Sequence, residues 1–233
     1  MERVLITGGA SGIGKAIADR CRADGLAPVI IDRIAGPDTI VADMMDREST
    51  QAALFEALAS GPITRLVNNV GAVFPADARS QTLDEYNSAY RLNLETAAQC
   101  LQALLPGMTE AGFGRVVNMS SRAALGKELR SAYAATKAGL IGMTRVWALE
   151  LGALGITVNA IGPGPIATEL FLKANPMDSP RTRAIIDGVP VKRIGQPEDV
   201  ANAAAFFLGA DSGFVTGQVL YVCGGLTVGR ASV

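Results

Sequence analysis

"RVLITGGASGIGKA", residues 3–16, is the stretch whose reading decides the fold. A strand-forming run, Arg3 to Thr7, breaks into a turn with glycines at 8, 12 and 14, and a helical pattern follows at once. Glycines there permit a tight turn and close approach of a phosphate, which would rest on the exposed N–H groups of the new helix. Gly8, Ser11, Gly12, Ile13 and Gly14 are therefore the candidate contacts.

Two familiar phosphate motifs do not account for this turn. G-x-G-x-x-G matches at no register. A P-loop nearly fits, with Gly9, four residues, then Gly14-Lys15, but the next residue is Ala16, where a magnesium-binding Ser or Thr is required. A nucleotide hydrolase becomes a minor alternative.

Outward from the turn, β-rich runs at 3–7, 28–32, 39–43, 65–69, 115–120, 156–161 and 218–222 alternate with helix candidates near 12–24, 46–59, 82–110, 131–152 and 197–209. In the fourth helix Leu140, Met143, Thr144, Trp147, Ala148 and Leu151 recur at helical spacing, as a core-facing stripe should. The alternation predicts an α/β fold: a Rossmann-type, doubly wound parallel sheet of about seven strands with helices on both faces, as one domain over 1–233. Between Asp32 and Thr39 only six residues are available, so a shortened turn or single helical turn replaces the usual crossover helix.

Composition bounds the function. The chain is 49% hydrophobic and 18% charged, enough apolar material for a large core. A net charge of −1 with no basic block argues against nucleic acid as a partner. No apolar run is long enough to cross a bilayer, and "MERVLITGG" enters a strand directly, so neither membrane nor leader is expected. Cys21, Cys100 and Cys223 are scattered and odd in number, which fits reduced thiols and a cytoplasmic location. The absence of histidine removes Ser-His-Asp and Cys-His chemistry and histidine metal sites; no metal is expected. Acid/base work near neutral pH then falls to tyrosine, lysine, carboxylate or cysteine.

Asp32 closes the second strand eighteen residues after Gly14. A carboxylate there accepts hydrogen bonds from the ribose hydroxyls of a dinucleotide and repels a 2′-phosphate, which favours NAD over NADP, although Arg33 beside it could accommodate that phosphate. In "SAYAATKAGL", 131–140, Tyr133 and Lys137 share one helix face.

"TGGASGIG", "NNVG" (68–71), Asn93, "SS" (120–121), Tyr133-x-x-x-Lys137, "PGPIAT" (163–168) and "RIGQPEDVA" (193–201) together resemble the short-chain dehydrogenase/reductases over nearly the whole chain. The resemblance implies an NAD(H)-dependent oxidoreductase interconverting a secondary alcohol and a ketone. Tyr133 would be the acid/base, its pKa lowered by Lys137 and by oxidised nicotinamide. Lys137 would also bind the nicotinamide ribose, and Asn93 would hold a water in a proton relay. Ser121 would hold the substrate oxygen, with Ser120 the alternative. Asn69 and Gly71 would line the adenosine side, Asp43 would meet the adenine amino group, and Pro163, Gly164, Ile166 and Thr168 would contact the carboxamide. Relatives imply a homotetramer or homodimer. Cys223 stands where the family usually has aspartate, and a buried inert thiol is expected.

Segments 72–75, 122–130 and 166–190 should wall the substrate pocket. The charges of "RAALGKELR" point to a small polar, acidic or cyclic alcohol or ketone, unless they only face solvent. The alternatives are a 3-oxoacyl thioester reductase using NADPH and, from another class, a non-catalytic NAD(H) sensor.

Overall fold

The structure is a computed structural model and describes residues 1–228. Strands β1 (Arg3–Thr7), β2 (Ala27–Asp32), β3 (Thr39–Val41), β4 (Arg65–Asn68), β5 (Gly114–Met119), β6 (Ile156–Ile161) and β7 (Val219–Leu220) form one parallel sheet in the order β3-β2-β1-β4-β5-β6-β7. Around it lie α1 (Gly12–Ala23), α2 (Arg47–Leu58), α3 (Leu83–Tyr90), α4 (Thr96–Ala111), α5 (Ser131–Leu151), α6 (Glu169–Ala174), α7 (Pro180–Gly188) and α8 (Pro197–Leu208).

Strand alternation builds two cores, one on each face. In β1, Leu5 packs with Leu54 of α2, Leu104 and Met108 of α4 and Leu151 of α5. Its neighbours Val4 and Ile6 turn the other way, onto Ile17 of α1 and Val200 and Phe207 of α8. Burying each such side chain contributes about 1.5–3 kcal/mol, so both helical layers are held by the same strands. The strand order reverses between β1 and β4, opening the crevice at their carboxyl ends. No helix among the described residues is long and apolar enough to cross a membrane.

Four details differ from the sequence reading or sharpen it. The connection after Asp32 is a turn without a helix; it ends on Asp38 at φ 56°, and Ile30 then pairs with Thr39. The helix expected over 82–110 is interrupted by a π-helical turn, Arg91–Glu95. The last strand is only two residues long. Finally, α6 and α7 went unforeseen because six and nine residues carry little apolar periodicity, although Thr168 and Ser179 cap them through their side chains.

Candidate active site

The glycine turn sits at the crevice. Gly8 has φ 66°, and a Cβ on Gly14 would lie 2.1 Å from the Gly8 carbonyl oxygen, so the helix can start this close to the turn only with glycine. Whereas α2, α3, α6 and α7 have side-chain caps, α1 has none: Ser11 is extended, makes no capping bond, and no acid occupies the first turn. Its leading N–H groups therefore suit an anion, and the turn fits a dinucleotide pyrophosphate. Lys15, the near P-loop lysine, instead pairs with Asp19 at 2.5 Å on the exposed face.

Asp32 is buried at the end of β2. Its Oδ2 accepts from the Ala10 amide at 3.0 Å and its Oδ1 from the Ile34 amide at 3.1 Å, fixing the carboxylate beside the turn. Asn69 braces the same turn: its Nδ2 donates to the carbonyls of Thr7 (3.0 Å) and Gly8 (2.9 Å). Thr7, missed in the sequence, is the counterpart, its Oγ1 accepting from the amides of Asn69 and Val70 at 3.0 Å each. Asp43 lies exposed past β3, with Oδ1 accepting from the Met45 amide at 2.9 Å.

The second half of the site hangs on α5. Two buried polar contacts seat this helix: Asn118 Nδ2 donates to Thr144 Oγ1 at 2.9 Å, and Ser120 Oγ to the Lys137 carbonyl at 2.8 Å. Ser120 is thereby committed to structure. Ser121 Oγ accepts from the Ala123 amide at 3.1 Å, at the start of the turn that leads to α5. Burial raises the Tyr133 phenol above its usual range, opposed by Ser121 and by the charge of Arg130.

Lys137 behaves differently from the sequence argument. Its Nζ lies 5.7 Å from the Tyr133 ring centroid and donates to the Met119 carbonyl at 2.6 Å, and burial pushes its pKa down to about 8. Among protein groups, Ser121 and Arg130, not Lys137, are what draw the phenol downward.

Asn93 lies in the π turn, buried, with both ends of its amide engaged. Oδ1 accepts from the Ala72 amide at 2.9 Å, while Nδ2 donates to the Ala72 carbonyl at 3.2 Å and to Thr136 Oγ1 at 3.0 Å. It clamps the loop after β4 onto α5. Gly71 lies beneath: a Cβ there would sit 2.8 Å from Asn93 Oδ1 and 3.2 Å from Lys137 Nζ. Gly71 thus makes room for the lysine and asparagine.

Segment 163–168 closes the crevice. The Pro163 carbonyl accepts from the Arg122 amide at 3.0 Å, and Gly164 packs on Cys223. Ile166 is buried in the core, leaving only its backbone for a ligand, and Thr168 lies against Gly12. Cys21 and Cys100 are pushed up to about 12 by burial. Cys223 is also buried, but bonds from Thr227 and nearby amides outweigh that burial and lower its thiol.

A parallel sheet with an uncapped glycine turn at its switch point and a Ser-Tyr-Lys group facing it defines a nicotinamide-dependent oxidoreductase. Residues 8–227 match the family model described as enoyl-(acyl carrier protein) reductase. A hydroxy(phenyl)methylsuccinyl-CoA dehydrogenase subunit of Thauera aromatica is 38% identical, covering 95% of this chain and 94% of its own. The acetoacetyl-CoA reductase of Shinella zoogloeoides is 36% identical, covering 97% and 98%. A solved structure described as an NAD(P) dependent gluconate 5-dehydrogenase from Beutenbergia cavernae, with bound NADP, superposes with a TM-score of 0.92 at 30% identity, covering 98% and 97%. The chain belongs to the short-chain dehydrogenase/reductase family.

Proposed function

We propose that this protein interconverts a secondary alcohol and a ketone on a small polar or cyclic substrate, with NAD(H), as one domain assembled into a homotetramer or homodimer in the cytoplasm. The observation that carries the reading is Tyr133 with the buried Lys137 beside it on α5, the ammonium 5.7 Å from the phenol ring centroid, and Ser121 near enough to draw the phenol's pKa down. When bound, the nicotinamide cofactor supplies the hydride acceptor or donor at the carbinol carbon. Ser121 holds the substrate oxygen. Tyr133 takes the hydroxyl proton during oxidation and returns one to the carbonyl oxygen during reduction. Lys137 keeps positive charge close to the phenolate and holds the ribose, and Asn93 preserves the relay by fixing the loop at Ala72.

NAD is supported by Asp32, a buried carboxylate held beside the glycine turn by the Ala10 amide, whose charge would repel a 2′-phosphate there. The NADP in the Beutenbergia structure and the acetoacetyl-CoA relative favour the second reading, a thioester reductase using NADPH with Arg33 holding the phosphate. Assembly is supported by the exposed Tyr90 of α3 and Val146 and Leu149 of α5.

Titration with NADH and NADPH, followed by cofactor fluorescence, is the test. Tighter NADH binding supports Asp32 as the ribose ligand, tighter NADPH binding selects the second reading, and binding of neither overturns both. Turnover by the wild type, lost in Tyr133→Phe with cofactor binding kept, separates the enzyme from a non-catalytic sensor.

A further inference from the structure

The segment from Ser121 to Tyr133 is crowded with positive charge. Arg122 follows Ser121 in a 3-10 turn, Lys127 lies in the loop after it, and Arg130 precedes α5, bridged to Ala76 across the mouth. From the other side α7 brings Arg181. Arg122, Lys127 and Arg130 thus lie on the one short stretch between Ser121 and Tyr133, and after burial it is the charges of Arg130, Arg122 and Arg181 that lower the Lys127 ammonium. The charge of Arg130 also reaches the Tyr133 phenol.

Among the described residues, none of these four has a carboxylate within ion-pair distance, and Glu128 of the same loop pairs with none of them. Lys15, Arg20, Arg22, Arg47, Arg65, Arg79 and Arg193 have such partners, while Arg33, Arg91, Arg145 and Lys173 do not. What marks this segment is therefore the gathering of unpaired cations rather than the lack of a partner at any one. Like charges gathered without counter-charge repel and cost stability. A bound anion reverses the sign of that interaction, and guanidiniums suit carboxylate or phosphate geometry.

We propose that the substrate carries a carboxylate or phosphate that docks on Arg122, Lys127, Arg130 and Arg181 while its reacting oxygen meets Ser121 and Tyr133. This rests on the oxidoreductase reading above and names the substrate class. The anion is either the carboxylate of a free hydroxy or keto acid or the phosphates of a thioester carrier.

Calorimetric titration of the cofactor-bound protein with acetoacetate, acetoacetyl-CoA, coenzyme A and the neutral ethyl acetoacetate tests it without requiring turnover. At least one anion should bind about tenfold or more tighter than the neutral ester, weaken with added salt, and lose that preference in Lys127→Gln/Arg181→Gln. Both positions are exposed, and an unchanged Tm checks the fold. Acetoacetate binding identifies a carboxylate, and binding of coenzyme A with acetoacetyl-CoA identifies the phosphates. No anion binding, a neutral ester bound as tightly, or a preference that survives the double substitution overturns the proposal. Failure of the oxidoreductase reading would show separately, as loss of all NADH and NADPH binding.

Discussion

Lys137 is an ammonium held among Met119, Asn93 and Gly71, and its pKa of about 8 states what that burial costs. Because the folded value lies below the unfolded one, near 10.4, the folded protein binds fewer protons in between, and the penalty present at pH 7 is relieved as pH rises. The stability advantage of Lys137→Met over wild type should therefore shrink by roughly 3 kcal/mol between pH 7 and 10.5, read by urea denaturation. A difference that stays flat with pH would show the ammonium is not penalised. The two serines make a second comparison. Ser121→Ala should lower kcat by about 10²-fold or more, whereas Ser120→Ala, which loses only the bond to the Lys137 carbonyl, should cost about 1 kcal/mol of stability with a much smaller loss of rate. Equal losses of kcat would refute that division. The Tyr133–Lys137 pair was legible because helical spacing alone puts both on one face. Choosing between adjacent serines was not, since that depends on which hydroxyl the α5 backbone engages.

Elements carry the next level of control. The π turn at Arg91–Glu95 aims Asn93 at the loop after β4, and such turns recur at functional sites. Nothing in local propensity announces it; "YRLNLET" reads as ordinary helix with an unfavourable asparagine, and only the partners at Ala72 and Thr136 explain it. Gly71→Ala should displace Asn93 and Lys137 together, because the new Cβ lies within 2.8 Å and 3.2 Å of their polar atoms. The expected outcome is a fall in kcat of about 10²-fold together with a loss of about 1–3 kcal/mol of stability. Gly142→Ala is the contrast: this α5 glycine has open space around it, and the change should stabilise by about 0.5–1 kcal/mol without touching the site. If both alanines behave alike, the close approach at Gly71 is not what matters there. Helices α6 and α7 escaped the sequence for a related reason: among their side chains only Thr182 is buried, so no apolar stripe marks them.

At the scale of the whole molecule the sheet has two ends with different work. The carboxyl ends hold the glycine turn, Asp32, Ser121 and α5. At the amino ends, Arg65 and Arg115 flank the Phe113 ring at 4.8 and 4.2 Å from its centroid. They donate to carbonyls at the end of α8: Arg65 Nε to Leu208 at 2.9 Å, Arg115 Nε to Gly209 at 3.1 Å and Arg115 Nη2 to Ala210 at 3.0 Å. These bonds add to the Gly209 amide and the Ser212 hydroxyl, which already engage carbonyls of this terminus, and the positive charge suits its dipole. The seven-strand alternation was legible because each strand is a short apolar run between helical patterns. This lock was not, since Arg65 and Arg115 read as ordinary polar residues at strand starts until α8 folds against them. Arg115→Leu should remove three of these contacts to the α8 terminus and Phe113, costing about 2–4 kcal/mol in urea denaturation. Its KM for the cofactor should stay at the wild-type value, because the Arg115 side chain bonds only at the amino end of the sheet and to the α8 terminus. A KM that rises in step with the lost stability would mean that the two ends of the sheet are coupled, and that the division of labour drawn here is wrong.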